Sequence, residues 1–146
     1  MKGLQPPTAT LYDIVVRGDA ADIRLAPTAY AAYVAARAGT DKISMQRKAH
    51  LERYFREFCE HNPHRLTDEK FKKEQTFATA HGKVAVWAFK AWQWRLYGSI
   101  LTVAGKRTFV GTRVDDSKKQ NKANKTLLKL AADDIARLIE FQSKGK

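Results

Sequence analysis

The chain has a single cysteine, Cys59, so no internal disulfide can form and no cysteine-based zinc site can be assembled. A fold without oxidative staples is the expectation for a reducing compartment. Long apolar runs are lacking too: no uncharged stretch approaches the roughly 20 residues that a membrane-spanning helix needs. The opening residues, MKGLQPPTAT, hold two early prolines and no apolar core, and do not read as a signal peptide. The expectation is a cytoplasmic chain with no membrane partner. Neither a GxxxxGK sequence followed by Ser or Thr nor a GxGxxG sequence occurs, which argues against nucleotide-triphosphate chemistry and leaves no small-molecule cofactor to expect. The four histidines form no metal pattern: His61 and His64 flank a proline near Glu60 and make only a weak cluster, so no metal is expected. There is no internal repeat and no low-complexity segment.

Acidic residues are also in short supply. Fifteen Asp and Glu stand against 27 Lys and Arg, a formal net charge of +12. The imbalance is uneven, because residues 1–64 carry nine basic and seven acidic residues while residues 65–146 carry eighteen and eight. A half-molecule that basic attracts nucleic acid, an anionic membrane surface or an acidic protein partner. With 146 residues, 44% of them apolar, the chain is long enough to bury a core as one domain. That domain would join an N-terminal strand and two-helix hairpin (1–64) to a basic sheet and C-terminal helix (65–146).

Residues 10–16, TLYDIVV, read as a short strand ended by Arg17-Gly18-Asp19. From Pro27 the pattern turns helical, with Pro in the first turn and Gly39 as a stop. Thr40 or Asp41 caps a second helix whose inner face is Leu51, Tyr54, Phe55 and Phe58, ended by Asn62-Pro63. His50 falls on its surface, and Cys59 reads as a buried packing residue. Residues 65–82 are polar and mixed and read as a loop with a helical turn around Asp68–Glu74. Three strands follow, VAVWAFKA (84–91), QWRLYGSILTV (93–103) and KRTFVGTRV (106–114), dense in branched and aromatic residues. Of Trp87, Phe89, Trp92 and Trp94, most belong in the core and Trp92, at the turn, is the exposed one. A last helix runs to about Phe141, with Ala123, Leu127, Leu130, Ala131, Ile135 and Leu138 inward and Lys129, Asp133 and Arg137 as an outer ladder. The order β-α-α-β-β-β-α predicts an α+β domain: an antiparallel sheet with its helices packed on one face.

The hairpin between the last two strands admits a register estimate. A three-residue loop, Val103-Ala104-Gly105, puts Gly in the left-handed position that closes such loops. It pairs Thr102 with Lys106, and so Arg95 with Arg113, Tyr97 with Gly111 and Leu101 with Arg107. Trp94, Leu96, Ile100, Val110 and Val114 then share the core face, while Arg95, Tyr97, Arg107 and Arg113 share the other. Two arginines directly opposite repel unless an anion lies between them, and a phosphate fits their forks. Gly111 would leave a ligand room at the backbone. The alternative is that each arginine finds an acidic partner, such as Asp115 or Asp116. Lys72, Lys73, Lys83 and Lys90 frame this face, and Lys118, Lys119 and Lys122 open the last helix, where ammoniums and backbone N–H groups together suit phosphate. His81, just before the strand that carries Lys83 and Lys90, is placed to exchange a proton or to be a simple loop histidine.

The run RLYGSILTVAGKRTFVGTRVDDSKKQNKANKTLLKLAADDI resembles the RelE superfamily of bacterial toxins, in particular its HigB-like and phage-derived branches. The features that carry the likeness are the Arg95 strand, the tight loop at Val103–Gly105, Lys118-Lys119 with Lys122, and Ala131-Ala132 with Ile135 on the inner face of a final helix. The resemblance covers residues 65–140, and the earlier elements by topology. It implies a toxin held by a cognate antitoxin protein, acting as a metal-independent endoribonuclease that cleaves mRNA on the ribosome. In that chemistry the RNA's own 2′-hydroxyl attacks the adjacent phosphate and leaves a 2′,3′-cyclic phosphate. Carried onto this chain, Arg95 and Arg113 clamp the phosphate, Lys90 or Lys73 assists, Tyr97 or His81 moves a proton or stacks a base, and Arg107 with the Lys118–Lys122 segment holds RNA backbone. No tyrosine or histidine follows the last strand, where some family members place a catalytic group. A ParE-like relative shares the fold and blocks a protein target, and a non-catalytic nucleic-acid-binding module would use the same basic face.

Overall fold

The computed structural model describes residues 12–91, 94–116 and 123–144, the last four of these by backbone alone. Among the described residues there are six strands and three helices, in the order β1 (Asp13–Arg17), β2 (Asp22–Leu25), α1 (Pro27–Ala38), α2 (Lys42–Glu60), β3 (Phe71–Thr79), β4 (Gly82–Ala91), β5 (Trp94–Val103), β6 (Lys106–Asp115) and α3 (Lys125–Lys144). The strands form one sheet in the order β1-β2-β6-β5-β4-β3. The class is α+β, as expected, but the sheet is mixed: β2 runs parallel to β6 and the other neighbours are antiparallel.

Two strands depart from the sequence expectation. The four-residue β2 is too short for its alternation to register, and it is held by its parallel partner instead. Residues 71–79, expected within a loop, form the edge strand β3. A bulge at Glu74 lets Phe71 face one layer and Phe77 the other, so no apolar alternation survives in FKKEQTFAT. Exposed Lys72 and Lys73, together with that bulge, discourage pairing of this edge with another chain.

Helices cover both faces of the sheet, not one. On the first face, Leu51, Tyr54, Phe55 and Phe58 of α2 and Ala29 and Tyr33 of α1 pack on Phe71, Phe89, Trp94, Leu96 and Phe109. The phenyl rings meet edge-on or tilted at centroid separations from 4.3 Å (Phe71–Phe89) to 6.3 Å (Phe58–Phe109). On the second face, α3 sets Leu128, Ala131, Ala132, Ile135 and Leu138 against Val84, Val86, Ala88, Tyr97 and Val110. Ala131, Ile135 and Leu138 are inward as expected, with Ala123 and Leu127 partly buried beside them; the exception is Leu130, 37% exposed, and Leu128 is buried instead. Trp87, Phe89 and Trp94 join the core, whereas Trp92 lies outside the described residues. Asp41, not Thr40, caps α2, its carboxylate accepting the Ser44 amide at 3.2 Å. No described helix is long and apolar enough to cross a membrane.

Candidate nucleic-acid interface

The β5–β6 hairpin closes with two residues instead of three. Val103 pairs with Lys106, and both turn residues take positive φ, 52° at Ala104 and 80° at Gly105. That is the left-handed pair a two-residue hairpin turn requires, with Ala accepting the strain that Asn or Gly avoids. The one-residue difference turns Arg107 and Val110 to the faces opposite those expected. A bulge at Thr112 adds one more step, so Arg113 lies opposite Tyr97 and Arg95 lies opposite Asp115.

The expected arginine clamp is therefore not formed. Arg95 is 8% exposed, flanked by Asp115 on β6 and Lys90 on β4. Arg113 spends its fork on Asp134 of α3, at 2.7 Å from Nε and 3.1 Å from Nη2, and this bonding raises its pKa. The same carboxylate accepts Arg137 at 2.5 Å, which takes Arg137 out of the expected ladder while Lys129–Asp133 stays in it at 2.7 Å. The room expected at Gly111 is filled, since a Cβ there would lie 2.7 Å from Leu25 and 2.8 Å from Leu96.

Arg107 is engaged within the fold. Its Nη2 donates to the carbonyls of Phe58 at 3.0 Å and His61 at 2.8 Å, closing the C-terminal end of α2, and its guanidinium lies 4.4 Å over the Phe58 ring. Tyr97 is fully buried, and its hydroxyl accepts the Asn124 amide at 3.1 Å, so its ring is not on the surface. Burial raises its pKa. His81 occupies the β3–β4 turn, with Nε2 at 3.4 Å from Glu140. Nine residues of strand separate it from Lys90, about 30 Å at ~3.3 Å per residue. Lys83, beside His81 on β4, lies seven residues from Lys90, the partner of Arg95, about 23 Å at ~3.3 Å per residue. Neither is brought beside Lys90 by the fold.

What the structure does bring together is Lys72, Lys90 and Arg95, one from each of three adjacent strands, on the face that α3 partly covers. Lys90 pairs with Arg95, and Lys72 sits diagonally across β3, opposite Ala88. Lys73 points to the other face, opposite Trp87. The Lys90 amine is half-buried and its pKa is lowered, first by burial and then by Lys72 and Arg95; Glu74 and Asp68 pull the other way. The cluster adjoins the start of α3, where Asn124 Oδ1 accepts the Leu127 amide at 3.1 Å. Lys118, Lys119 and Lys122 lie outside the described residues.

The remaining candidates are engaged elsewhere. His64 stacks on Phe58 and accepts the Leu66 amide, His61 lies 3.8 Å from Glu57, and buried Cys59 has its thiol pKa pushed up to about 12. Among the described residues no three His, Cys, Asp or Glu side chains gather as a metal site would need. The residues that sequence reasoning missed are Asp134, Glu74 and Asp68. Asp134 of α3 meets Arg113 of β6, and Glu74 and Asp68 act on Lys90 of β4, contacts distant in sequence of which local spacing carries no signal. No protein family, curated protein or solved structure matches this sequence.

Proposed function

We propose that the chain is an RNA-cleaving toxin of the RelE type in which Lys90, and not an arginine pair, is the reacting group. The observation that supports this reading is the row Lys72–Lys90–Arg95, in which a half-buried amine is held below its ordinary pKa chiefly by burial, with Lys72 and Arg95 adding to the effect and Glu74 opposing it. A lysine so placed has a larger neutral fraction near pH 7 and can take the proton of a ribose 2′-hydroxyl. The 2′-oxygen then bonds to phosphorus, the bond to the 5′-oxygen breaks, and the exposed Lys72 ammonium returns a proton to the departing oxygen. A 2′,3′-cyclic phosphate and a 5′-hydroxyl remain. Arg95, 8% exposed and opposite Asp115, works from behind by adding to the lowering of the Lys90 pKa. With both edge strands of the sheet, β1 and β3, set aside, the remaining elements run β-α-α-β-β-β-α, which supports the same reading.

The test is induced expression in a bacterial host with primer-extension mapping of new message 5′ ends, for the native chain and for Lys90→Gln. Growth arrest with new ends that vanish in the variant supports cleavage by Lys90. A second reading is RNA binding without cleavage, favoured by the engagement of Tyr97 with Asn124 and the remoteness of His81. It predicts no new ends and salt-sensitive RNA retention, with Lys72→Gln reducing the log–log salt slope by about 0.7. Arrest with neither cleavage nor RNA retention would assign the chain to blocking a protein target.

A further inference from the structure

A cleft of about 180 Å³ opens between the start of α1, the bulge of β6 and the middle of α3. The RNA reading makes no use of it. Helix α1 begins there without a cap: Ala26 offers no side-chain acceptor, Pro27 follows, and no acidic residue stands in the first turn. The Tyr30 amide bonds the Ala26 carbonyl at 2.8 Å, so the amides of Thr28 and Ala29 are the donors that helix geometry leaves over. They sit at the positive end of a 12-residue helix.

The second observation comes from the opposite wall. Thr112, the extra residue of the bulge, lines the cleft, is 2% exposed, and its hydroxyl has no hydrogen-bond partner. Buried hydroxyls are seldom left so, and one facing an uncapped helix start is suited to an acceptor held between them. Arg113 and Arg137 form the third wall. They share the single carboxylate of Asp134, so this wall carries one positive charge more than it neutralises.

We propose that this cleft binds a phosphoryl group, held by the Thr28 amide, the Thr112 hydroxyl and the Arg137 guanidinium. A tetrahedral oxyanion can accept from three directions at once, which a planar carboxylate does less well. The Asp134 carboxylate opposes the anion, and the two guanidiniums on it offset that opposition. The phosphoryl group is either free, as inorganic phosphate, or the 5′ end of an RNA strand. The site stands apart from Lys90, so Lys90→Gln leaves it intact.

The test titrates the full-length chain with inorganic phosphate at constant ionic strength, following backbone amide resonances and the melting temperature. Saturable shifts at Thr28 with a rise in Tm are expected. Thr112→Val and Arg137→Gln should each weaken binding by about tenfold, the cost of one charge-assisted hydrogen bond. In phosphate-free buffer Thr112→Val should melt no lower than the native chain, because its hydroxyl bonds nothing there. Competition by a 5′-phosphorylated but not a 5′-hydroxyl oligoribonucleotide would assign the RNA end as the ligand, and competition by neither would assign the free ion. Equal shifts with chloride alone, or undiminished phosphate affinity in both variants, would overturn the proposal. So would a lower Tm for Thr112→Val without phosphate, since the hydroxyl would then be serving the fold.

Discussion

Replacing Arg107 with Ala separates a structural arginine from a nucleic-acid contact. The side chain makes two hydrogen bonds, of 3.0 and 2.8 Å, to carbonyls at the end of α2 and lies 4.4 Å over the Phe58 ring. Hydrogen bonds from a charged donor contribute roughly 1.5–3 kcal/mol each, and the lower figure applies here because the guanidinium is only half-buried. The ring contact adds about 0.5 kcal/mol, and partial rehydration of the freed carbonyls returns a similar amount. The net loss is about 3 kcal/mol. For a chain of this size that lowers Tm by about 6–12 °C. Arg107→Lys keeps the charge, but one ammonium cannot span both carbonyls and cover the ring, so about half the loss is expected. Urea denaturation gives the stability, and RNA retention by the folded variant gives the interface. A variant that melts within a degree of the native chain but binds RNA tenfold more weakly would refute the assignment and return Arg107 to the basic face.

Other expectations follow from single sites. Ala104→Asn creates the Asn-Gly pair that a two-residue turn favours and should raise stability by about 0.5–1 kcal/mol; a loss in a melting experiment would instead support the three-residue loop. Cys59, 1% exposed with its thiol pKa pushed up to about 12, should resist a disulfide-exchange reagent at pH 8 until denaturant is added, and immediate stoichiometric reaction would contradict this. His50 and His64 both have folded pKa values below the ordinary 6.5, set chiefly by burial. The folded state thus binds fewer protons than the unfolded one. Their contribution is full above about pH 6.5 and is lost as the pH falls through the lowered values, so Gln at both positions should flatten that slope in denaturant titrations. An unchanged slope would place the acid sensitivity elsewhere.

The parts of the fold legible in the sequence were those whose pattern one element decides for itself. The inner face of α2 at Leu51, Tyr54, Phe55 and Phe58 is a helical repeat, and β4, β5 and β6 are runs of branched and aromatic residues. The illegible parts were each decided by a partner. β2 is a strand because β6 lies beside it, and β3 looks polar because it is an edge strand whose bulge divides Phe71 and Phe77 between two layers. The faces of β5 and β6 look alike in sequence once both are buried, so nothing there announced that α3 would close the second one. The site depended on more than this. The pairing of Arg95 with Asp115 hangs on two single-residue events, the length of the turn at Ala104-Gly105 and the extra residue at Thr112. With either one absent, Arg95 would face a different residue of β6 and the charge row on which Lys90 depends would be rearranged. Local composition fixed that cations would gather in this half of the chain. Which of them meet, and which are consumed by Asp134 or by the carbonyls at the end of α2, is a property of register, and register is the long-range quantity that a single sequence encodes least directly.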